Sequence, residues 1–124
     1  MNVVLWVLQS LLALAYLGAG TTKLSQPQER LKARMAWVTH TTSTNVKLIG
    51  AAETLGAIGL ILPAATKIAP VLTPIAAAAL AAIMIGAVVV HVRLGDKISL
   101  MSAPLVLLVL DVIVAWGRFG PYHF

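Results

Sequence analysis

NVKLIGAAETLGAIGLILP, residues 45–63, is an apolar run long enough to cross a bilayer, with one carboxylate, Glu53, near its middle. An acid in hydrocarbon is costly, so Glu53 needs a partner, a solvating group or a proton. At about 100° per residue, Val46, Ile49, Gly50, Gly56, Ala57 and Leu60 fall on its side of a helix, and Leu48, Ala51, Leu55, Ile58 and Leu62 fall opposite. The second set suits lipid. The first, with its glycines and alanine, lets a neighbouring backbone approach closely, which predicts that Glu53 faces the interior of a bundle.

The rest of the chain has the same character. Of its 124 residues, 60% are hydrophobic and 10% charged, and the mean hydropathy of +0.94 lies outside the range of soluble domains. Four apolar stretches, about 3–22, 45–62, 70–92 and 98–117, each approach the ~20 residues of a spanning helix. The expected fold is all-α, a single membrane domain over 1–124 built as a four-transmembrane-helix bundle. The longest polar connection, 23–44, holds one short helix and a loop, too little for a water-soluble catalytic domain. The first stretch ends in Gly18, Ala19 and Gly20, as a secretion signal would. Yet no basic residue precedes it and its core exceeds the ~7–15 residues of a signal, so it reads as a retained helix. The sequence contains no cysteine, which excludes disulfides, thiolate nucleophiles and thiolate metal sites.

A net charge of +5 raises nucleic acid as a partner, but the placement of the charges points to a bilayer instead. Seven of the nine basic residues, Lys23, Arg30, Lys32, Arg34, Lys47, Arg93 and Lys97, flank the connections between helices one and two and between helices three and four; only Lys67 and Arg118 belong to the other side. The positive-inside rule then places 23–44 and 93–97 in the cytoplasm and both termini on the opposite side. Within the first connection, Ser25 and Gln28 stand at capping-box spacing around Pro27. They open an interfacial amphipathic helix over about 26–38, with Leu31, Met35 and Val38 on its oily side and Trp37 as an anchor. The polar run HTTSTN, 40–45, is suited to cap helix two.

Polar residues recur inside the apolar stretches. Helix one carries Asn2, Gln9, Tyr16 and Lys23 at intervals of seven, about two turns, hence on one face, with Ala13 and Gly20 between them. Asn2 and Lys23 are expected at the water interfaces, so that Gln9 and Tyr16 need buried partners. Helix three packs through Thr73, Ala77, Leu80, Met84, Ala87 and His91, and helix four carries a second acid, Asp111, on a face with Arg118. Depth counted at about 1.5 Å per residue gives two layers. The inner would join Tyr16 to Glu53, with Lys23, Lys47 or His91 beneath. The outer would join Gln9 to Asp111, with Arg118 above, as a structural layer. Glu53, Tyr16, Gln9, His91 and Lys47 are thus the candidate pocket residues. None makes a nucleophile–base pair, and the sequence offers no metal cluster or nucleotide loop, so no catalytic residue is assigned.

VKLIGAAETLGAIGLILP, preceded by MAWV and followed by LTPIAAAAL and His91, resembles the DoxX-like family of four-helix membrane proteins, over nearly the whole chain. The resemblance implies a four-helix bundle with Glu53 and His91 at family positions. Some relatives are linked to quinone-dependent sulfur oxidation or to membrane oxidoreductase complexes, and animal relatives assist assembly of nicotinic receptors. Three functions follow. The first is a non-catalytic binding or assembly module, an accessory subunit for a membrane-protein partner or a homo-oligomer, with a polar pocket around Glu53 for a lipid or another lipophilic molecule. The second is a quinone-linked subunit of an oxidoreductase complex, in which Glu53 and Tyr16 would bond the quinone. The third is a proton-coupled small-molecule transporter, disfavoured by the uneven loop charge.

The topology is testable directly. Single cysteines at Ser43 and Thr66, probed with a membrane-impermeant thiol reagent, are expected to label from opposite sides, Ser43 from the cytoplasm; cytoplasmic labelling of Thr66 would invert the assignment.

Overall fold

The computed structural model describes residues 2–27, 29–30, 42–95 and 98–123. Four helices follow one another: α1 (Asn2–Ser25), α2 (Ser43–Thr66), α3 (Leu72–Arg93) and α4 (Ile98–Phe119). All four are long and apolar enough to cross a membrane, so this is a multi-pass integral membrane protein. Each packs on its neighbour in sequence and α4 closes the ring on α1, the α1–α4 contact being the smallest of the four. Both termini and the α2–α3 turn therefore share one end of the bundle, the termini end. Of the interfacial helix expected over about 26–38, Gln28 of the capping box and residues 31–38 lie outside the described ones; at its start, the Arg30 amide donates to the Pro27 carbonyl at 3.0 Å.

Helix ends follow local chemistry. Thr42 caps α2, its hydroxyl accepting from the Asn45 amide at 3.2 Å, so α2 starts slightly earlier than its apolar run. The sequence also places the end of this helix before Pro63, whereas α2 continues through that proline to Thr66. A proline cannot donate to the carbonyl four residues back. Here that carbonyl, on Gly59, accepts instead from Thr73 Oγ1 of α3 at 3.0 Å, and the next one, on Leu60, accepts from Gln9 Nε2 of α1 at 2.7 Å. Neighbouring helices thus supply what hydrocarbon would not. Beyond Thr66, Lys67 adopts a left-handed conformation (φ 59°) that ends α2.

The core comprises Leu5, Leu12, Tyr16, Ala57, Leu60, Ala77, Leu80, Met84 and Val114. On α2 the buried set is Val46, Gly50, Glu53, Ala57, Leu60 and Ala64, while Leu48, Leu55, Ile58 and Leu62 are exposed to the bilayer. The division expected from helical spacing therefore holds except at Ala51, which is half-buried, and Glu53 faces inward. Because lipid tails are as apolar as the side chains, close packing rather than transfer from water must hold such helices together. The backbones of α1 and α2 meet closely at Gly20 and Gly50. A Cβ on Gly20 would lie 2.6 Å from the Gly50 carbonyl oxygen and 2.9 Å from the Thr54 amide nitrogen. A Cβ on Gly50 would lie 2.8 Å from both the Gly20 carbonyl oxygen and Lys23 Cβ.

Gly20→Ala is accordingly expected to destabilise the bundle by about 1–3 kcal/mol through overpacking against backbone. Gly18→Ala, where an added Cβ meets nothing within 4 Å, should leave the thermal midpoint in detergent unchanged or slightly raised. Equal midpoints for the two variants would contradict the close crossing.

Candidate functional site

The interval of seven on α1 sets the geometry of the polar interior. Lys23, Tyr16, Gln9 and Asn2 are spaced about 10 Å apart along one face, and each reaches a partner on another helix. Lys23 Nζ donates to Glu53 Oε1 at 2.6 Å, with Glu53 2% and Lys23 7% exposed. Tyr16 donates its hydroxyl proton to Asp111 Oδ2. Arg118 donates from Nε to Gln9 Oε1 at 2.7 Å and from Nη1 to Asn2 Oδ1 at 2.6 Å and to the Tyr122 carbonyl at 2.9 Å. Asp111 and Arg118 are themselves seven apart on α4. The two antiparallel helices thus present polar rungs with the same repeat.

Three rungs replace the two layers expected from depth counting, and the pairings differ. Tyr16 meets Asp111 and not Glu53, Gln9 meets Arg118 and not Asp111, and Lys23 is buried rather than held at the water interface. The cause is side-chain direction. Cα–Cβ bonds tilt towards a helix N-terminus, so side chains on α1 lean towards the termini end while those on α2 and α4 lean the other way. Tyr16 and Asp111 converge from different backbone depths, and so do Lys23 and Glu53. Gly50 completes the second pair, because the volume its side chain would fill holds the stem of Lys23.

The remaining candidates are Lys47 and His91. Lys47 is exposed and donates to the Leu24 carbonyl at 3.2 Å, satisfying a terminal carbonyl of α1. His91 is half-buried in the last turn of α3. Arg118 is 2% exposed and lies 5.6 Å from the Trp6 ring centroid, a cation–π contact. Asn2 and Trp6 are participants that sequence spacing did not single out as partners of Arg118. The second oxygen of Asp111, Oδ1, is enclosed and has no hydrogen-bond partner among the described residues. Among those residues, no group of three histidine, cysteine or acidic side chains is placed to hold a metal ion.

Chemically, the ladder neutralises one acid with a cation and gives the other a phenolic donor. A model of the DoxX-like family matches residues 7–114, a span that contains Gln9, Tyr16, Lys23, Glu53 and Asp111. Searches of the curated proteins and of the solved structures gave no match.

The pair at Lys23 predicts an asymmetric cycle. Removing one partner of a buried ion pair costs about 3–5 kcal/mol, and Lys23→Met should approach that because Glu53 lies deep in α2. Glu53→Gln should cost less, since the lysine stem can extend back to the nearby helix end. The double variant should recover most of the loss. Additive losses in detergent unfolding would show that the two groups do not interact.

Proposed function

The chain belongs to the DoxX-like family, and from that premise we propose that it is a non-catalytic membrane module, an accessory or assembly subunit for a membrane-protein partner or for further copies of itself. The observation that carries this reading is that both acids within the apolar helices are engaged with α1, Glu53 by Lys23 and Asp111 by Tyr16. Groups tied to each other in this way fix the relative register of the helices. The module's function then lies on its surface, where large side chains such as Leu14, Leu55 and Trp116 face outward. In this reading the connections 23–44 and 93–97 are cytoplasmic, as the basic residues suggest.

The expected test is native mass spectrometry of the protein released gently from its own membrane. A bound membrane protein, or a further copy of the chain, should be retained by the wild type and equally by folded Lys23→Met/Glu53→Gln. A retained lipophilic molecule lost only in that double variant would instead assign a ligand pocket to Glu53, and a retained quinone would favour an oxidoreductase subunit.

A further inference from the structure

The ladder answers its two acids unequally. Glu53 receives a cation, Lys23, whereas Asp111 receives one phenolic donor on one oxygen. Asp111 is fully buried, and its Oδ1 is enclosed with no hydrogen-bond partner among the described residues. No ion pair reaches it from those residues either. Lys23 is taken by Glu53. Arg118 lies about 10 Å further along α4 and directs Nε and Nη1 to Gln9, Asn2 and the Tyr122 carbonyl. On α3, the basic residues His91 and Arg93 stand in the last turn, at the end away from the termini. The nearest titratable groups on α1 and α2 are therefore Tyr16, which donates to Asp111, and Glu53, an acid itself.

We infer that Asp111 is a proton-binding site: in the closed bundle it is a neutral carboxylic acid, and its proton seals the seam between α1 and α4. An ionised carboxylate spreads its charge over both oxygens, so part of that charge would rest on Oδ1, to which nothing donates. With the proton on Oδ1 and Tyr16 donating to Oδ2, what stays unpaired is a neutral O–H, at a far smaller cost in hydrocarbon. The α1–α4 contact is the smallest in the ring, and the Tyr16–Asp111 rung crosses it. Loss of the proton places an uncompensated charge where the helices have least packing to give up, so water enters there to solvate it. This site has no part in the surface role proposed above, and each can fail without the other.

The test is infrared spectroscopy of the full chain at neutral pH in a maltoside detergent, which has no carbonyl group of its own. The wild type should show the C=O stretch of a protonated carboxylic acid. That band should move when the aspartates are isotopically labelled at the carboxyl carbon and stay when the glutamates are labelled instead, a readout that needs no variant. The aspartate label enters only Asp96 and Asp111, so Asp111→Asn should remove the band and Glu53→Gln should keep it. No such band in the wild type, a band that follows the glutamate label, or one that survives Asp111→Asn would overturn the inference. The seal is read by chemical unfolding across pH. The folded chain holds a proton that an aspartate in the unfolded chain releases, so stability should fall as pH rises above the ordinary carboxylate range. Relative to Asp111→Asn, the unfolding constant should rise by up to about tenfold per pH unit. Identical pH profiles for the two proteins would show that no proton holds the seam.

Discussion

A polar group inside hydrocarbon has no water to fall back on, and the interior of this protein is arranged around meeting that constraint. The Lys23–Glu53 pair is its clearest expression. Glu53 lies in α2 with apolar residues above and below, and the cation that neutralises it comes from the last turn of α1. The pair requires the helices to approach until the Lys23 stem rests on Gly50, which in turn brings Gly20 against the backbone of α2. Ion pair and glycine crossing thus depend on one another. Either without the other would leave a buried charge or an unfilled gap.

The same constraint explains the remaining rungs and the course of α2 through Pro63. The carbonyl that the proline leaves without its usual donor is taken up by Thr73, and the adjacent carbonyl by Gln9. Gln9 in turn accepts from Arg118, so one side chain links α1, α2 and α4. The interior is therefore specified by pairings between particular helices, and the bilayer-facing surface is left to contacts with lipid and partners. In the proposed reading this is a division of labour, in which the ladder holds the bundle and the surface meets what the bundle serves.

Much of this architecture was legible in the residues themselves. Spanning helices follow from the length of apolar runs, and the buried face of α2 follows from a period of 3.6, because both are properties of one segment in one solvent. The stripe Asn2, Gln9, Tyr16 and Lys23 was visible for the same reason, as was the face shared by Asp111 and Arg118. The register between helices was not legible. Counting depth along each axis assumes that side chains project straight outward, whereas each leans towards its own helix N-terminus.

The sequence alone therefore determined that the chain spans a bilayer four times, which faces turn inward, and that its acids would need partners. Only the tertiary structure decided the partners: Lys23 for Glu53, Tyr16 for Asp111, Arg118 for Gln9 and Asn2. The physical reason is that pairing depends on the tilt of each side chain towards its own helix N-terminus and on how far one helix slides along the next. Close packing at Gly20 and Gly50 fixes that sliding between α1 and α2, through contacts between residues that are distant in the chain.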